Sequence, residues 1–172
     1  MWDFHRSHGG TNSKKSSDDY ASEVISGSIS GILSTITVIA GVVGAGLTPK
    51  TVLILGTAVS FTNALNNATA TYLAEDLPHF QAATEVFLSS FLVALVPLIL
   101  YIFEYITYIR VINKEMYSII LAMISMLLVA YFKAEHFTRP TYEIIRNMMF
   151  VVGCSAVVSY GIGYALQQAD IP

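Results

Sequence analysis

The sequence predicts an all-α, polytopic membrane protein with five transmembrane helices. Of the 172 residues, 54% are apolar and only 12% are charged, with a mean hydropathy of +0.60. A soluble domain usually carries about a quarter charged residues, so this composition favours lipid as the solvent. Residues 23–74 form two arms without charges after Glu23, joined at an LTPK turn. Each arm reaches the roughly 20 residues that cross about 30 Å of hydrocarbon.

The five predicted helices belong to one membrane domain, residues 23–167. A polar segment, residues 1–22, precedes it, and a short tail, residues 168–172, follows it. The composition of the polar segment cannot bury enough apolar surface to fold alone, so we expect other membrane or assembly proteins to order it. The predicted helices cover residues 24–46, 51–74, 86–103, 116–132 and 144–166.

Local signals delimit these helices. Thr48-Pro49 suits a turn and a helix start, because proline is tolerated in a first helical turn. Pro97 lies in the middle of the third predicted helix, where a membrane helix accepts a kink. Lys133 ends the fourth helix, since its long stem can reach the membrane surface. An aromatic belt after the third helix marks the interface with water, formed by Tyr101, Tyr105 and Tyr108.

The distribution of basic residues predicts the orientation in the membrane. On the side of the N-terminus lie Arg6, Lys14, Lys15, Lys133, Arg139 and Arg146. On the opposite side lie Lys50, Arg110 and Lys114. Because positive residues accumulate in cytosolic loops, the N-terminus is expected in the cytosol.

Two neutral polar stripes run along the first two helices. One contains Ser26, Ser30, Ser34 and Thr37, and the other contains Ser60, Asn63, Asn67 and Thr71. Their spacing keeps each set on one helical face. The stripes can line a polar pathway, with Ser30, Ser34, Asn63, Asn67 and Thr71 as the candidate path-lining residues. Alternatively, they form hydrogen bonds between helices, a common role for Ser, Thr and Asn in membranes.

The stretch SGILSTITVIAGVVGAGLTPKTVLILG resembles the first two helices of the vacuolar iron transporter family, which includes the nodulin-like proteins. SSFLVALVPLILYIF and SYGIGYAL are similar to its third and fifth helices, and the resemblance extends over roughly residues 23–167. The residues that fit in the first stretch are Gly31, Ser34, Thr35, Ala40, Gly41, Val42, Gly44, Ala45, Pro49, Leu55 and Gly56, and Tyr72 follows.

The resemblance implies a homodimer in an intracellular membrane that moves Fe²⁺ or Mn²⁺ out of the cytosol along helices 1 and 2. It also implies a path lined by an aspartate in helix 1 and by a methionine, often with a glutamate, in helix 2. Ser30 stands at the aspartate position, Asn67 at the methionine position and Thr71 at the glutamate position. A divalent ion in a bilayer needs anionic or soft ligands. Transport is therefore one expectation, and a non-transporting structural or assembly protein with the same fold is the other.

Other residues carry weaker signals. Weak candidates for metal capture at the membrane mouth are Glu75, Asp76, His79 and Glu85. Small-residue steps at Gly27–Gly31 and at Ser155, Ser159 and Gly163 indicate close helix contacts, within one chain or between two. Cys154 is expected to be a small packing residue.

The sequence assigns neither a catalytic nor a resident metal site, and we expect neither enzymatic activity nor a cofactor. The net charge of −3 is small and spread along the chain, which argues against nucleic acid as a partner.

Overall fold

The computed structural model describes residues 12–74, 80–108, 112–136 and 141–169, and every long element in these ranges is a helix. The helices are α1 (Asn12–Gly44), α2 (Pro49–Ala74), α3 (Phe80–Leu95), α4 (Ile99–Thr107), α5 (Lys114–His136) and α6 (Thr141–Gln168). A 3₁₀ turn, Val96–Leu98, joins α3 to α4.

α1 lies at the centre of the bundle and contacts α2, α3, α5 and α6. One apolar cluster joins α1 to α5 and α6 through Ile32, Ile36, Ala122, Met126 and Val152. A second cluster joins the end of α1 to α2 and α4 through Ile39, Val42, Val52, Leu98 and Tyr101. The helix with the most polar N-terminal half is therefore also the helix around which the others pack.

α1 begins earlier than the sequence indicated. The helix starts at Asn12, whereas an onset near residue 24 was expected from hydropathy. Polar residues do not interrupt a helix in water, so a hydropathy pattern locates the apolar part and misses a polar extension. Residues 1–11 of the predicted polar segment lie outside the described residues.

The turn between α1 and α2 closes as its sequence predicts. Gly46 has a φ of +64°, a conformation that glycine adopts at little cost. The amide of Gly46 donates to the carbonyl of Val43 at 3.0 Å, and the amide of Leu47 donates to that of Val42 at 3.1 Å. This Schellman pattern satisfies the last carbonyls of α1 and reverses the chain into α2.

Pro97 interrupts the third predicted helix. It lies in the 3₁₀ turn between α3 and α4, because proline cannot donate the hydrogen bond that would continue the helix. The buried hydroxyl of Ser118 in α5 donates to the carbonyl of Pro97. The kink is thus held by a neighbouring helix.

Within the part of the chain that the structure describes, four helical segments are long and apolar enough to cross a membrane: Ala21–Gly44, Phe80–Thr107, Lys114–Ala134 and Tyr142–Gln168. The second of these includes α3, the 3₁₀ turn and α4. α2 has 26 residues but is not among the four, so five crossings are not confirmed. The cause lies in its composition, since a large share of α2 is Ser, Thr and Asn.

Candidate functional site: the polar seam between α1 and α2

The two predicted polar stripes meet where α1 packs against α2. The Ser30 hydroxyl and the Asn63 side chain are joined at 3.2 Å through the amide oxygen and at 3.1 Å through the amide nitrogen. One helical turn further along, the Thr35 hydroxyl lies 3.0 Å from the Ser60 hydroxyl. Ser60 and Thr35 are fully buried. These contacts cross-link the two helices, as expected for hydrogen bonding between membrane helices.

Asn67 forms the next contact between α1 and α2. Its side-chain nitrogen donates to the Gly27 carbonyl at 3.4 Å and lies 3.5 Å from the Ser90 hydroxyl of α3. Because the partners of Ser60, Asn63 and Asn67 fall at progressively earlier positions of α1, α2 runs antiparallel to α1. The polar contacts from Thr35 to Gly27 define the α1–α2 seam.

Ser34 and Thr37 are satisfied within α1 itself. The Ser34 hydroxyl donates to the Ser30 carbonyl at 2.6 Å, and that of Thr37 donates to the Leu33 carbonyl at 2.7 Å. Ser34 is half-buried. Its hydroxyl bonds within α1, so Ser34 takes no part in the hydrogen bonds that join Ser30 to Asn63.

The α1–α2 seam opens into a cleft of about 220 Å³ at the N-terminal end of the apolar part of α1. The cleft is lined by Glu23, Ser26, Gly27, Asn67, Ala70, Thr71 and Val86. Thr71 is buried there and Asn67 is half-buried. Two of the predicted path-lining residues therefore share a cavity with a carboxylate.

Glu23 is the functional candidate that the sequence reasoning missed. It lies seven residues before Ser30, and this spacing puts the two side chains on one face of α1. Helices 1 and 2 were expected to supply no anionic group to the path. At the mouth of the cleft, Glu23 lines the same cavity as Asn67 and Thr71.

The weak metal-capture candidates receive little structural description. Glu75, Asp76 and His79 lie outside the described residues. Glu85 is exposed on α3 and accepts a hydrogen bond from the Gln81 side chain at 3.1 Å. Across residues 12–74, 80–108, 112–136 and 141–169, no three His, Cys, Asp or Glu side chains are grouped closely enough to hold a metal ion.

The small-residue steps mark contacts within one chain. A Cβ on Gly31 would lie 2.6 Å from the Ser90 carbonyl oxygen, so this glycine allows α1 and α3 to approach closely. On the other side of α1, the Ser159 hydroxyl donates to the Thr37 carbonyl at 2.6 Å. A side chain at Gly163 would meet the Gly41 carbonyl. Both steps thus serve packing around α1.

Cys154 departs from its expected role. Its side chain is exposed on α6 rather than packed against the other described helices. A Cβ at the adjacent Gly153 would meet nothing within 4 Å.

The α1–α2 seam offers neutral hydroxyl and amide oxygens, with one carboxylate at its open end. Hard divalent cations prefer oxygen ligands, whereas a soft thioether is missing from this set. The arrangement can attract a cation at Glu23 and present it to weak neutral oxygens deeper in the bundle.

These features define a helical integral membrane protein with a polar seam beside a cleft that contains one carboxylate. The model of the VIT family matches residues 73–164, more than half of the chain, and the chain belongs to that family. Family membership and the membrane-spanning helices fit a membrane transporter. The match begins after Thr71, so it does not include the α1–α2 seam. Neither the curated proteins nor the solved structures contain a match.

Proposed function

We propose that this protein transports a divalent metal ion, Fe²⁺ or Mn²⁺, across an intracellular membrane, with its N-terminus in the cytosol. The observation that carries the proposal is the cleft in which Glu23, Asn67 and Thr71 meet, in a chain of the VIT family. Glu23 attracts the cation, and neutral oxygens along the α1–α2 seam replace part of its hydration shell. A weak site of this kind suits transport, because an ion that passes through must also leave.

We infer that α2 also crosses the membrane, which gives five crossings. The polar contacts at Ser60, Asn63 and Asn67 follow α1 step by step, and Val52 packs against the end of α1, so α2 lies alongside a membrane-spanning helix from Val52 to Asn67. The hydroxyl and amide groups that lower its hydropathy are in part satisfied by α1, which reduces the cost of placing them in lipid.

We infer a homodimer in which α2 faces the second copy. Three polar side chains, Thr62, Asn66 and Thr69, are exposed on the face of α2 turned away from α1. Exposed amides at membrane depth are costly, and a second copy of α2 would supply hydrogen-bond partners. This arrangement brings two Glu23 clefts into one assembly.

Cross-linking tests the dimer. In a Cys154→Ser background, Asn66→Cys is expected to form a disulfide-linked dimer in membranes on mild oxidation. Leu88→Cys, at an exposed position of α3, is the matched control and should remain monomeric on denaturing gels. Equal cross-linking of both variants, or of neither, would contradict a dimer through α2.

Metal flux tests the proposed transport. Proteoliposomes loaded with a metal-sensitive dye are expected to show quenching when Mn²⁺ or Fe²⁺ is added. Asn67→Leu should abolish the signal, because it removes an oxygen ligand from the cleft and from the α1–α2 seam. Ser89→Leu introduces the same side chain on α3 at a half-buried serine that bonds within its own helix, and it should retain flux.

A second candidate function is that of a non-transporting structural or assembly protein. It is favoured by the hydrogen bonds Ser30–Asn63 and Thr35–Ser60, which close the α1–α2 seam. It also fits the neutral residues at positions where the resemblance implies aspartate and methionine. Absence of flux above that of empty vesicles, from a folded protein, would support this candidate over the first.

Restoring the implied ligands separates the two candidates further. The double substitution Ser30→Asp with Asn67→Met is expected to raise Mn²⁺ affinity if the path is still open. Isothermal titration of the purified protein measures the change. An affinity equal to that of the original chain would show that the seam is closed to ions.

A further inference from the structure

A second cavity lies at the opposite end of the bundle from the Glu23 cleft. It has a volume of about 360 Å³ and forms where the start of α2 meets α4. Its wall includes Lys50, Leu53, Tyr101, Glu104, Tyr105 and Tyr108. None of these residues belongs to the α1–α2 seam.

The ends of three membrane-spanning segments place this cavity at the level of the lipid headgroups. The segments end at Gly44, end at Thr107 and begin at Lys114, all close to the cavity in the chain. Tyr105 and Tyr108 are exposed beside it, and tyrosine is typical of the boundary between lipid and water.

Tyr101 gives the cavity an unsatisfied polar group. Its side chain is 3% exposed, and its hydroxyl has no hydrogen-bond partner among the described residues. Buried hydroxyls are nearly always paired, so an unpaired one beside a cavity indicates a missing partner. A ligand with acceptor oxygens would supply it.

One basic side chain at the cavity is available to an anion. The Lys114 ammonium lies 2.7 Å from both carboxylate oxygens of Glu104, so the negative charge of Glu104 is already balanced. Lys50 is exposed, and the described part of the chain contains no recorded ion pair for it. The carboxylate of Glu115 also acts electrostatically on Tyr101, so the charges around the cavity are nearly balanced, and Lys50 is the exposed cation of its wall that can pair with an anionic ligand.

We propose that this cavity binds a phosphate group, with Lys50 as the counter-charge and the Tyr101 hydroxyl as a hydrogen-bond donor. Leu53 and the ring of Tyr105 form an apolar wall for the carbon skeleton attached to that phosphate. The phosphate belongs either to the headgroup of a bilayer phospholipid or to a soluble phosphate. Both present the same oxygens, and the experiment distinguishes them.

Thermal unfolding of the full chain in detergent tests the site with three probes: phosphatidylglycerol, phosphatidylcholine and inorganic phosphate. Phosphatidylglycerol is expected to raise the Tm more than phosphatidylcholine, because only the former has a net negative charge. Lys50→Gln should weaken the apparent affinity for phosphatidylglycerol about fivefold. Lys133→Gln is the matched control. It also removes one positive charge, but Lys133 lies near the C-terminal end of α5, far from the cavity, so the affinity should not change.

The three probes also separate the sources of the phosphate. If only phosphatidylglycerol gives a Tm shift that depends on Lys50, the ligand is a lipid headgroup. If inorganic phosphate gives such a Tm shift, the ligand is a soluble phosphate. If no probe gives a shift that depends on Lys50, or if Lys133→Gln has the same effect as Lys50→Gln, the proposal is overturned.

Tyr101→Phe provides a readout that a purely structural role would not give. Without a phosphate probe, the variant should be at least as stable as the original chain, because it removes an unpaired buried hydroxyl. With the probe, its gain in Tm should be smaller. A variant that is destabilised without the probe and gains the full shift with it would show that the hydroxyl is satisfied within the protein.

Discussion

Individual side chains decide how closed the α1–α2 seam is. Ser30 and Asn63 form two contacts, at 3.2 and 3.1 Å, across the interface between α1 and α2. In a membrane, such a pair contributes about 0.6 kcal/mol on average and up to about 1.7 kcal/mol. A set of such contacts is strong enough to fix the register of α2 and weak enough to be exchanged for a passing ion or water.

A double-mutant cycle measures this contact. Ser30→Ala, Asn63→Ala and the double variant are expected to show a coupling of about 0.6–1.7 kcal/mol in reversible unfolding in detergent. Pairing Ser89→Ala with Asn63→Ala is the control, because Ser89 bonds to the carbonyl of Val86 in its own helix. A coupling near zero for Ser30 and Asn63 would mean that the seam is open in solution.

The sequence located part of this site and missed part of it. The spacing put Ser30 on one face of helix 1 and put Asn63 and Asn67 on one face of helix 2, because helical periodicity fixes a face, and the packing of the bundle brings the two faces together. Thr35 and Ser60 pair across the helices, but Thr35 lies outside the predicted stripe. Glu23 was missed because it was taken as the charged boundary of an apolar run, and only the packing of α2 and α3 shows that it borders a cleft.

At the scale of helices, small residues set the distances around α1. Gly31 lies against the Ser90 carbonyl and Gly163 against the Gly41 carbonyl, on two sides of the same helix. The sequence identified both small-residue steps but left open whether they join helices of one chain or of two. Only the assembled bundle resolves this, because spacing alone describes a face and not its partner.

Two alanine substitutions test this role of glycine. Gly31→Ala should destabilise the protein by about 1–3 kcal/mol, since a Cβ would lie 2.6 Å from the Ser90 carbonyl oxygen and would push α1 away from α3. Gly153→Ala on α6 should be neutral or stabilising by up to about 1 kcal/mol, because nothing lies within 4 Å. Detergent unfolding of both variants measures the difference. Equal changes in stability for the two variants would show that close packing does not explain the glycine at position 31.

Helix ends were harder to predict than helix positions. The turn at Gly46 and the break at Pro97 follow from the backbone chemistry of those residues. Hydropathy did not predict that α1 starts at Asn12 or that α5 ends at His136, because polar residues extend both helices beyond their apolar parts. Hydropathy locates the part of a helix that lipid can cover. Backbone hydrogen bonds continue the helix beyond that part.

At the scale of the whole molecule, the number of crossings depends on α2. Among the described residues, four segments qualify by length and hydropathy, and α2 falls short because it has many Ser, Thr and Asn residues, both on the face toward α1 and on the face turned away from it. Sequence patterns predicted five helices, whereas the described residues form six α-helices because the break at Pro97 divides the third predicted helix into α3 and α4. A hydropathy criterion alone cannot tell a helix that is polar because it lines a path from one that lies outside the membrane.

The positions of the two chain ends test the five crossings. In a Cys154→Ser background, Ser13→Cys and Ala169→Cys are labelled with an impermeant maleimide in sealed vesicles. Five crossings place these positions on opposite faces, so only one of them should react before the vesicles are opened. Labelling of both from the same face would show an even number of crossings and would exclude α2 as a membrane-spanning helix.

The most direct measurement is Mn²⁺ flux into dye-loaded proteoliposomes for the original chain, Glu23→Gln and Glu85→Gln. Glu23 is the carboxylate that lines the cleft, whereas Glu85 is exposed outside it. We predict flux in the original chain and in Glu85→Gln, with about a tenfold loss in Glu23→Gln, equivalent to about 1.4 kcal/mol. Flux no greater than that of empty vesicles in the original chain, or equal flux in all three, would contradict a transport path that begins at Glu23.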